Sequence, residues 1–488
     1  MRRMLLLAVA FAAMVSLAED HEVRVWRGET RHLRLRDDCE LGTAPAPLTL
    51  TEGRIKSVRY RGNRYDLRYS EVCDRVVWGA KDGGARVVEI KVPADAQPGV
   101  YHSGQLVIRV VDRELPPAKD WKFMLDLWQH PWAIARAHRV RPFSPEFYEK
   151  ARKVYAPLLD AGQRFITVTL LDQPWNHQCY DGYGTMIRHI RRADGSWRFD
   201  YSVFDEYVAF CKGMGLGPYV SCYTLCPWGL IVKWEDEQGK PFSVKAEIGS
   251  KEFEDYWGPF LDDFAAHLRE KGWFDDTYIA MDERRADQMR TISEFVQRHA
   301  PGLKISMASC RRPSEFKGIR IDYFCQLVNY IDDAFLADAK ARREEGLKTT
   351  FYVCCIPDRP NTFLDSEEDE AFWLGYYAAA NGLDGFLRWA WNSWGEVSGD
   401  DVTFDNFRWR QGDVALVYPD GEPSWRFLKL RQGIVAAEKS RILREAGELV
   451  AELDALSPGY DWRKMNGPNQ HFRKLADQTL ELVNRDFK

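Results

Sequence analysis

The 488-residue chain has no CxxC and no HExxH motif, and its ten histidines are scattered, so no zinc-type ligand set can be read from it. No block of like charge stands out. With 68 basic and 73 acidic residues the formal charge is only −5, which lacks the footprint expected of a nucleic-acid partner. After the first twenty residues there is no long apolar run, so no membrane insertion of the mature protein is expected. Wholesale disorder is excluded by 45% apolar and 29% charged residues. What the chain has in excess is aromatic: 18 Trp, 21 Tyr and 26 Phe. That is more tryptophan than a core of this size needs, and indole is the side chain most given to stacking on flat ligand faces. The length is about three times that of a usual domain and predicts two or three of them.

The first residues, MRRMLLLAVAFAAMVSLAED, combine basic Arg2 and Arg3, an apolar stretch from Met4 to Val15, and the small-x-small signal Ser16-Leu17-Ala18. This pattern predicts a secretory signal peptide over residues 1–18 and an exported protein, periplasmic or secreted; the apolar run is short for a membrane anchor. Export raises the question of disulfides among the ten cysteines. Cys39 and Cys73, the only two before residue 179, are candidates to pair. The other eight, including adjacent Cys354 and Cys355, lie on or beside apolar stretches and read as buried free thiols. The sequence specifies no oligomeric state.

Residues 21–111 alternate in short segments such as EVRVW, HLRLR, RVVEIKV and GQLVIRVV, separated by Gly, Pro and Asp, with no helical stretch. They predict an N-terminal β-sandwich over residues 19–119, and DRELPPAK (112–119) reads as its linker. From Trp121 onward the period changes. Eight apolar strand candidates (122–128, 164–171, 217–225, 276–283, 303–309, 321–328, 348–355 and 385–391) alternate with helical patterns at about 144–161, 203–214, 251–271, 286–300, 331–345, 366–381 and 424–445. The stretch between 309 and 321 is the weakest helix. Residues 120–488 therefore predict a (β/α)8 TIM barrel with a helical C-terminal end, making the whole a multidomain β plus α/β protein. A doubly wound sheet usually needs fewer units and often a glycine-rich first turn. Links entering the strands are short, whereas those leaving the first, second, third and eighth are long. The elaboration falls where such barrels build active sites.

Asp-Glu occurs four times, at 205–206, 236–237, 282–283 and 369–370. Only Asp282-Glu283 ends an apolar barrel strand. Two carboxylates at a barrel mouth repel each other and lose hydration, which can raise one pKa and keep a proton available for donation. The competing reading is a pair neutralised by Arg284 and Arg285. An ordinary glycosidase places its two carboxylates on opposite sides of the scissile bond, usually from separate strands. Neighbours along one strand suit substrate-assisted hydrolysis of a 2-acetamido sugar, in which one orients the acetamide and the other exchanges protons with the leaving oxygen and water.

DLWQHPW (126–132), YIAMDERR (278–285), TTFYVCC with RPNTF (349–363), GFLRWAWNSW (385–394) and GDVALVYP (412–419) together resemble glycoside hydrolase family 123, exported β-N-acetylgalactosaminidases with a β-sandwich before a (β/α)8 barrel. The resemblance implies that Asp282 is the acetamide-orienting aspartate and Glu283 the general acid/base.

The two-residue strand period puts Leu387, Trp389 and Trp391 on one face. Trp389 reads as core, while Trp391, with Asn392 and Trp394, is expected at the mouth beneath the sugar. Tyr352 is expected near the acetamide carbonyl if it points inward. The second loop carries Trp175, Asn176, His177 and Tyr180 as candidate sugar contacts, and Trp128 ends the first strand. Trp228, Trp234 and Asn361 are weaker candidates, and Glu396 and Asp400 are the rivals for a separate second carboxylate. The expected activity is retaining exo-hydrolysis of a terminal β-linked N-acetylgalactosamine on a glycan, through an oxazoline intermediate, without metal or organic cofactor. Two alternatives stand beside it: a glycosidase for another sugar that pairs Glu283 with a carboxylate from a different strand, and a non-catalytic glycan-binding protein.

Overall fold

The computed structural model describes residues 22–61, 69–398, 401–405, 409–456 and 471–486. The expected signal peptide at 1–18 and Asp400 lie outside them, and of Glu396 only the backbone is described.

The N-terminal region is strand-rich. Glu22–Arg27, Leu106–Glu114 and Gly99–Ser103 form one sheet; Thr30–Arg34, Ala85–Lys91, Thr49–Arg61 and Tyr69–Trp78 form another. Val23, Val25, Ile108 and Val110 from the first sheet close a core with Val88 and Ile90 from the second, as the alternating sequence requires of two facing sheets. Cys39 is buried in this core, and both Cys39 and Cys73 are free thiols, so the expected pairing is not made.

The barrel strands are β1 (Met124–Leu127), β2 (Phe165–Thr169), β3 (Tyr219–Tyr223), β4 (Thr277–Asp282), β5 (Lys304–Ser309), β6 (Tyr323–Leu327), β7 (Lys348–Val353) and β8 (Gly385–Arg388), all parallel. Their order closes round from β8 to β1, leaving one gap between β1 and β2. Two glutamine side chains stitch that gap. Gln163 Oε1 accepts from Leu127 N at 3.1 Å, and Gln129 Oε1 accepts from Thr167 N at 2.8 Å. Alternate residues point in and out: Met124, Phe165, Tyr278 and Tyr323 fill the interior, while Leu125, Ile166, Ile279 and Phe324 pack under the helices.

Helix starts follow their caps. Ser144, Ser250 and Ser424 each accept the backbone N–H of the third residue onward, opening helices Pro145–Asp160, Lys251–Glu270 and Trp425–Glu445. Between β5 and β6 the weak helical pattern resolves into a single short turn at Pro313–Phe316. The long loops carry unexpected elements. Helix Pro131–His138 follows β1, and strands Arg188–Arg191, Trp197–Asp200, Ile231–Asp236 and Pro241–Lys245 build a four-stranded sheet from the second and third loops. Asp401–Asp405, in the eighth loop, reaches back to pair with the N-terminal sheet at Tyr60. No helix among the described residues is long and apolar enough to cross a membrane.

Candidate active site

The strand C-termini open into a cleft enclosing about 630 Å³, open solvent included. Asp282 and Glu283 lie on its wall. Tyr278 and Ala280 face the barrel interior, so the strand period turns Asp282 inward as well. Glu283 follows the last strand residue, donates its backbone N–H to Ala308 O at 2.9 Å, and adopts φ 50°. A left-handed backbone is unfavourable for a side chain of this kind, and such positions concentrate at functional sites. Here the turn leaves Glu283 exposed and Asp282 half-buried, two environments for two neighbouring carboxylates.

Burial, and after it the charge of Glu283, push the Asp282 carboxyl up to about 7, against the opposing influence of Arg284 and of the indole N–H groups of Trp228 and Trp175. Tyr352 donates its hydroxyl to Glu283 Oε1 at 2.8 Å. Burial and the Glu283 charge hold that phenol well above its ordinary range, which keeps it a donor. The flanking arginines do not pair with the carboxylates. Arg284 donates to the Cys226 carbonyl at 2.6 Å, and Arg285 pairs with Asp287 at 2.8 Å.

Of the aromatic residues expected at the site, Trp128, Trp175 and Tyr352 gather there. Trp128 stacks on Trp175 at 5.0 Å, and Trp228 lines the cleft with 43% of its surface exposed. The loop residues Asn176 and His177 are exposed in left-handed conformations and do not line the cleft. Tyr180 is exposed under the Arg136 guanidinium. Trp234 packs against Phe242 in the loop sheet, and buried Asn361 is held by the Cys354 and Pro357 carbonyls and by Arg388.

The last strand requires a correction. Trp391, Asn392 and Trp394 were expected beneath the sugar, yet all three are fully buried elsewhere. Trp391 donates to Val154 O and meets Phe427 edge-on, Trp394 donates to Val417 O, and Asn392 clamps the backbone N–H and C=O of His130. Trp389 is buried in the barrel core as expected, and it also lines the cleft. Regular pairing with β1 ends at Arg388, and the next bond, from Trp391 N–H to Trp128 O at 2.9 Å, comes one residue late, so the two-residue period does not extend to Trp391. Past that point the chain turns outward along 414–418 and carries the indole under the helices.

Trp409, Gln178, Asp413, Cys354 and Cys355 complete the wall and were not singled out as site residues. Trp409 meets Trp389 edge-on at 5.6 Å and donates to Gln178 O. Asp413 Oδ1 accepts from Arg388 at 2.9 Å and Trp389 Nε1 at 3.0 Å, while buried Oδ2 has no partner. The one sequence signal for this group was that Trp409 and Asp413 fall in the long loop after β8. Among the described residues no group of three or more His, Cys, Asp or Glu is arranged to hold a metal ion.

The family described as "Glycoside hydrolase 123, catalytic domain" matches residues 128–443. A family 123 glycoside hydrolase from Clostridium perfringens, solved in a study of glycolipid glycan hydrolysis, is 23% identical; the match covers 95% of this chain and 92% of that one with a TM-score of 0.80, a likeness of fold. The xylanase 10B CBM22-GH10 modules of Clostridium thermocellum (8% identity, 82% and 84% coverage, TM-score 0.35) and the β-amylase catalytic domain of Paenibacillus polymyxa (10%, 64% and 98%, 0.38) are too distant to carry an argument. A search among curated proteins finds no match.

Proposed function

The chain belongs to glycoside hydrolase family 123, and from that premise we propose that it is an exported, retaining exo-hydrolase that removes terminal β-linked N-acetylgalactosamine with the help of the substrate's own acetamide. The observation that carries this reading is the adjacency of half-buried Asp282 and exposed Glu283 on one cleft wall. Neighbours on a strand are poorly placed to act as acid and nucleophile from opposite sides of a glycosidic bond; when the acetamide itself attacks on the face opposite the leaving oxygen, the two carboxylates need only reach the acetamide N–H and that oxygen.

In the first step the acetamide oxygen attacks the anomeric carbon, the glycosidic C–O bond breaks, and Glu283 gives its proton to the leaving oxygen. Ionised Asp282 accepts the acetamide N–H and stabilises the positive charge that develops as the oxazolinium ring forms. In the second step Glu283 takes a proton from water, which attacks the same carbon and restores the acetamide with net retention. Tyr352, whose hydroxyl donates to Glu283, redirects that hydrogen bond to the acetamide oxygen when sugar binds. Trp389 replaces Trp391 as the sugar platform. The signal at 1–18 directs export, residues 19–119 form an accessory domain, and 120–488 form the catalytic barrel.

Glu283→Gln should abolish turnover of an activated aryl β-GalNAc glycoside, with Asp282→Asn severely impaired, a loss on the order of 10²–10⁴-fold or more for a general acid/base. Near-normal turnover by Glu283→Gln would refute the assignment. A second reading pairs Glu283 with Asp413, the other carboxylate on the wall. Its engagement by Arg388 and Trp389 makes it the weaker nucleophile.

A further inference from the structure

Cys354 and Cys355 follow the last residue of β7, and both line the cleft that holds Asp282 and Glu283. Their Sγ atoms are 4.0 Å apart, and Cys355 is exposed. Cys354 is half-buried, so the dithiol faces the same space as exposed Glu283 and Trp228, the space a ligand would enter. We propose that Cys354 and Cys355 form a thiol–disulfide exchange site in the cleft wall, whose ligand is a small-molecule disulfide and whose product is a vicinal protein disulfide that obstructs the cleft.

The chemistry follows from the geometry. Cys355 is the attacking thiol because it is the exposed one. Either thiol could donate in the contact between them, and that contact lowers the Cys355 pKa and raises that of Cys354. Cys355 sulfur attacks one sulfur of R–S–S–R, forming the mixed disulfide Cys355–S–S–R and releasing one RSH. Cys354 sulfur then attacks the Cys355 sulfur and displaces the second RSH. Two protein thiols become one disulfide, the reagent is reduced to two thiols, and both thiol protons leave with them. The second step requires the sulfurs to approach from 4.0 Å to about 2.05 Å, within reach of side-chain rotation and a small shift of the turn. Consecutive Cα atoms are only about 3.8 Å apart, shorter than disulfides prefer, so the ring is strained and readily reduced. Strained, exposed disulfides are the labile ones.

The local structure couples this ring to the site. The Cys354 carbonyl is held by Asn361 Nδ2 at 3.0 Å, so the turn cannot yield freely on that side. Two residues upstream, Tyr352 carries the hydrogen bond to Glu283. Closing the ring therefore strains the segment that positions Tyr352 and replaces two pliant thiols on the wall with one rigid S–S unit.

The full chain, reduced and then exposed to hydroxyethyl disulfide, tests this directly. Peptide mass analysis should show the 354–355 peptide lighter by two hydrogens. Cys354→Ser should stop at the mixed disulfide on Cys355, and Cys355→Ser should form no adduct at that rate. In the oxidised protein KM for the aryl glycoside should rise by about tenfold or more, with recovery on adding dithiothreitol. The proposal is overturned if no internal disulfide forms, if Cys354→Ser fails to retain the adduct, or if the oxidised enzyme has unchanged kinetics. The obstruction rests on the cleft being the active site, but the mass measurement does not. A reduced protein that cleaves no glycoside would count against the proposed function and leave the thiol result to stand on its own.

Discussion

At the scale of residues, Asp282 is the position where sequence and environment act most clearly on the chemistry. It must be ionised to accept the acetamide N–H, yet burial and Glu283 push its carboxyl up to about 7. Glu283 must carry a proton to act as the acid, so in the active form its charge no longer adds to the effect of burial; the acidic limb of kcat/KM should lie between the ordinary carboxylate range and pH 7, with activity lost as pH drops and Asp282 takes up a proton. Arg284 works in the other direction, favouring the ionised form. Arg284→Gln removes that influence, so its acidic limb should move upward, on the order of one pH unit, while Arg284→Lys should move it much less. A pH–rate profile of the three proteins checks this, and an unchanged limb in Arg284→Gln would refute the electrostatic role. The candidate pair itself was legible because it ends an apolar strand. The placement of Trp391 was not, since it depends on the one-residue offset where regular pairing with β1 ends, and nothing in GFLRWAWNSW marks that point.

At the scale of elements, the periodic patterns were informative wherever one face is buried. All eight barrel strands and seven helices fall within a few residues of their expected places, because alternation and helical spacing both record contact with the core. The loops were opaque. The strands of the sheet built from the second and third loops are only four to six residues long, so each offers too short a pattern to read. Some long-range contacts leave no local trace at all. Asp74, on strand Tyr69–Trp78, accepts from Arg426 Nε at 3.0 Å and from the Tyr418 hydroxyl at 2.7 Å, tying the N-terminal sheet to helix Trp425–Glu445. Both partners of this ion pair are buried. Asp74→Ala leaves Arg426 uncompensated and should cost about 3–5 kcal/mol in chemical denaturation. A change under 1 kcal/mol would mean that the pair is not a structural tie.

At the scale of the whole molecule, the two halves read from the sequence are interlocked. Lys439, in the same C-terminal helix, is fully buried, and its ammonium binds Glu29 and Asn484. Trp26 donates to Val483 O at 2.9 Å. A chain beginning at residue 120 would expose this helix face and leave Lys439 and Arg426 without their carboxylates. It should fail to give a cooperative, soluble fold, and a barrel that unfolds cooperatively when expressed alone would contradict that. Aromatic residues are thus spent in two ways: Trp26, Trp391 and Trp394 lock elements together, while Trp128, Trp175, Trp228, Trp389 and Trp409 surround or approach the carboxylates.

The central claim is that the acetamide of the substrate, positioned by Asp282, is the nucleophile. Inhibition by a thiazoline derived from N-acetylgalactosamine tests it most directly, since the compound reproduces the bicyclic intermediate but resists hydrolysis. The account predicts competitive inhibition at least about 10²-fold tighter than that by free N-acetylgalactosamine, as expected of a transition-state-like ligand, and a loss of most of that advantage in Asp282→Asn. A thiazoline that binds no better than the free sugar, to an enzyme that still cleaves the glycoside, would contradict it.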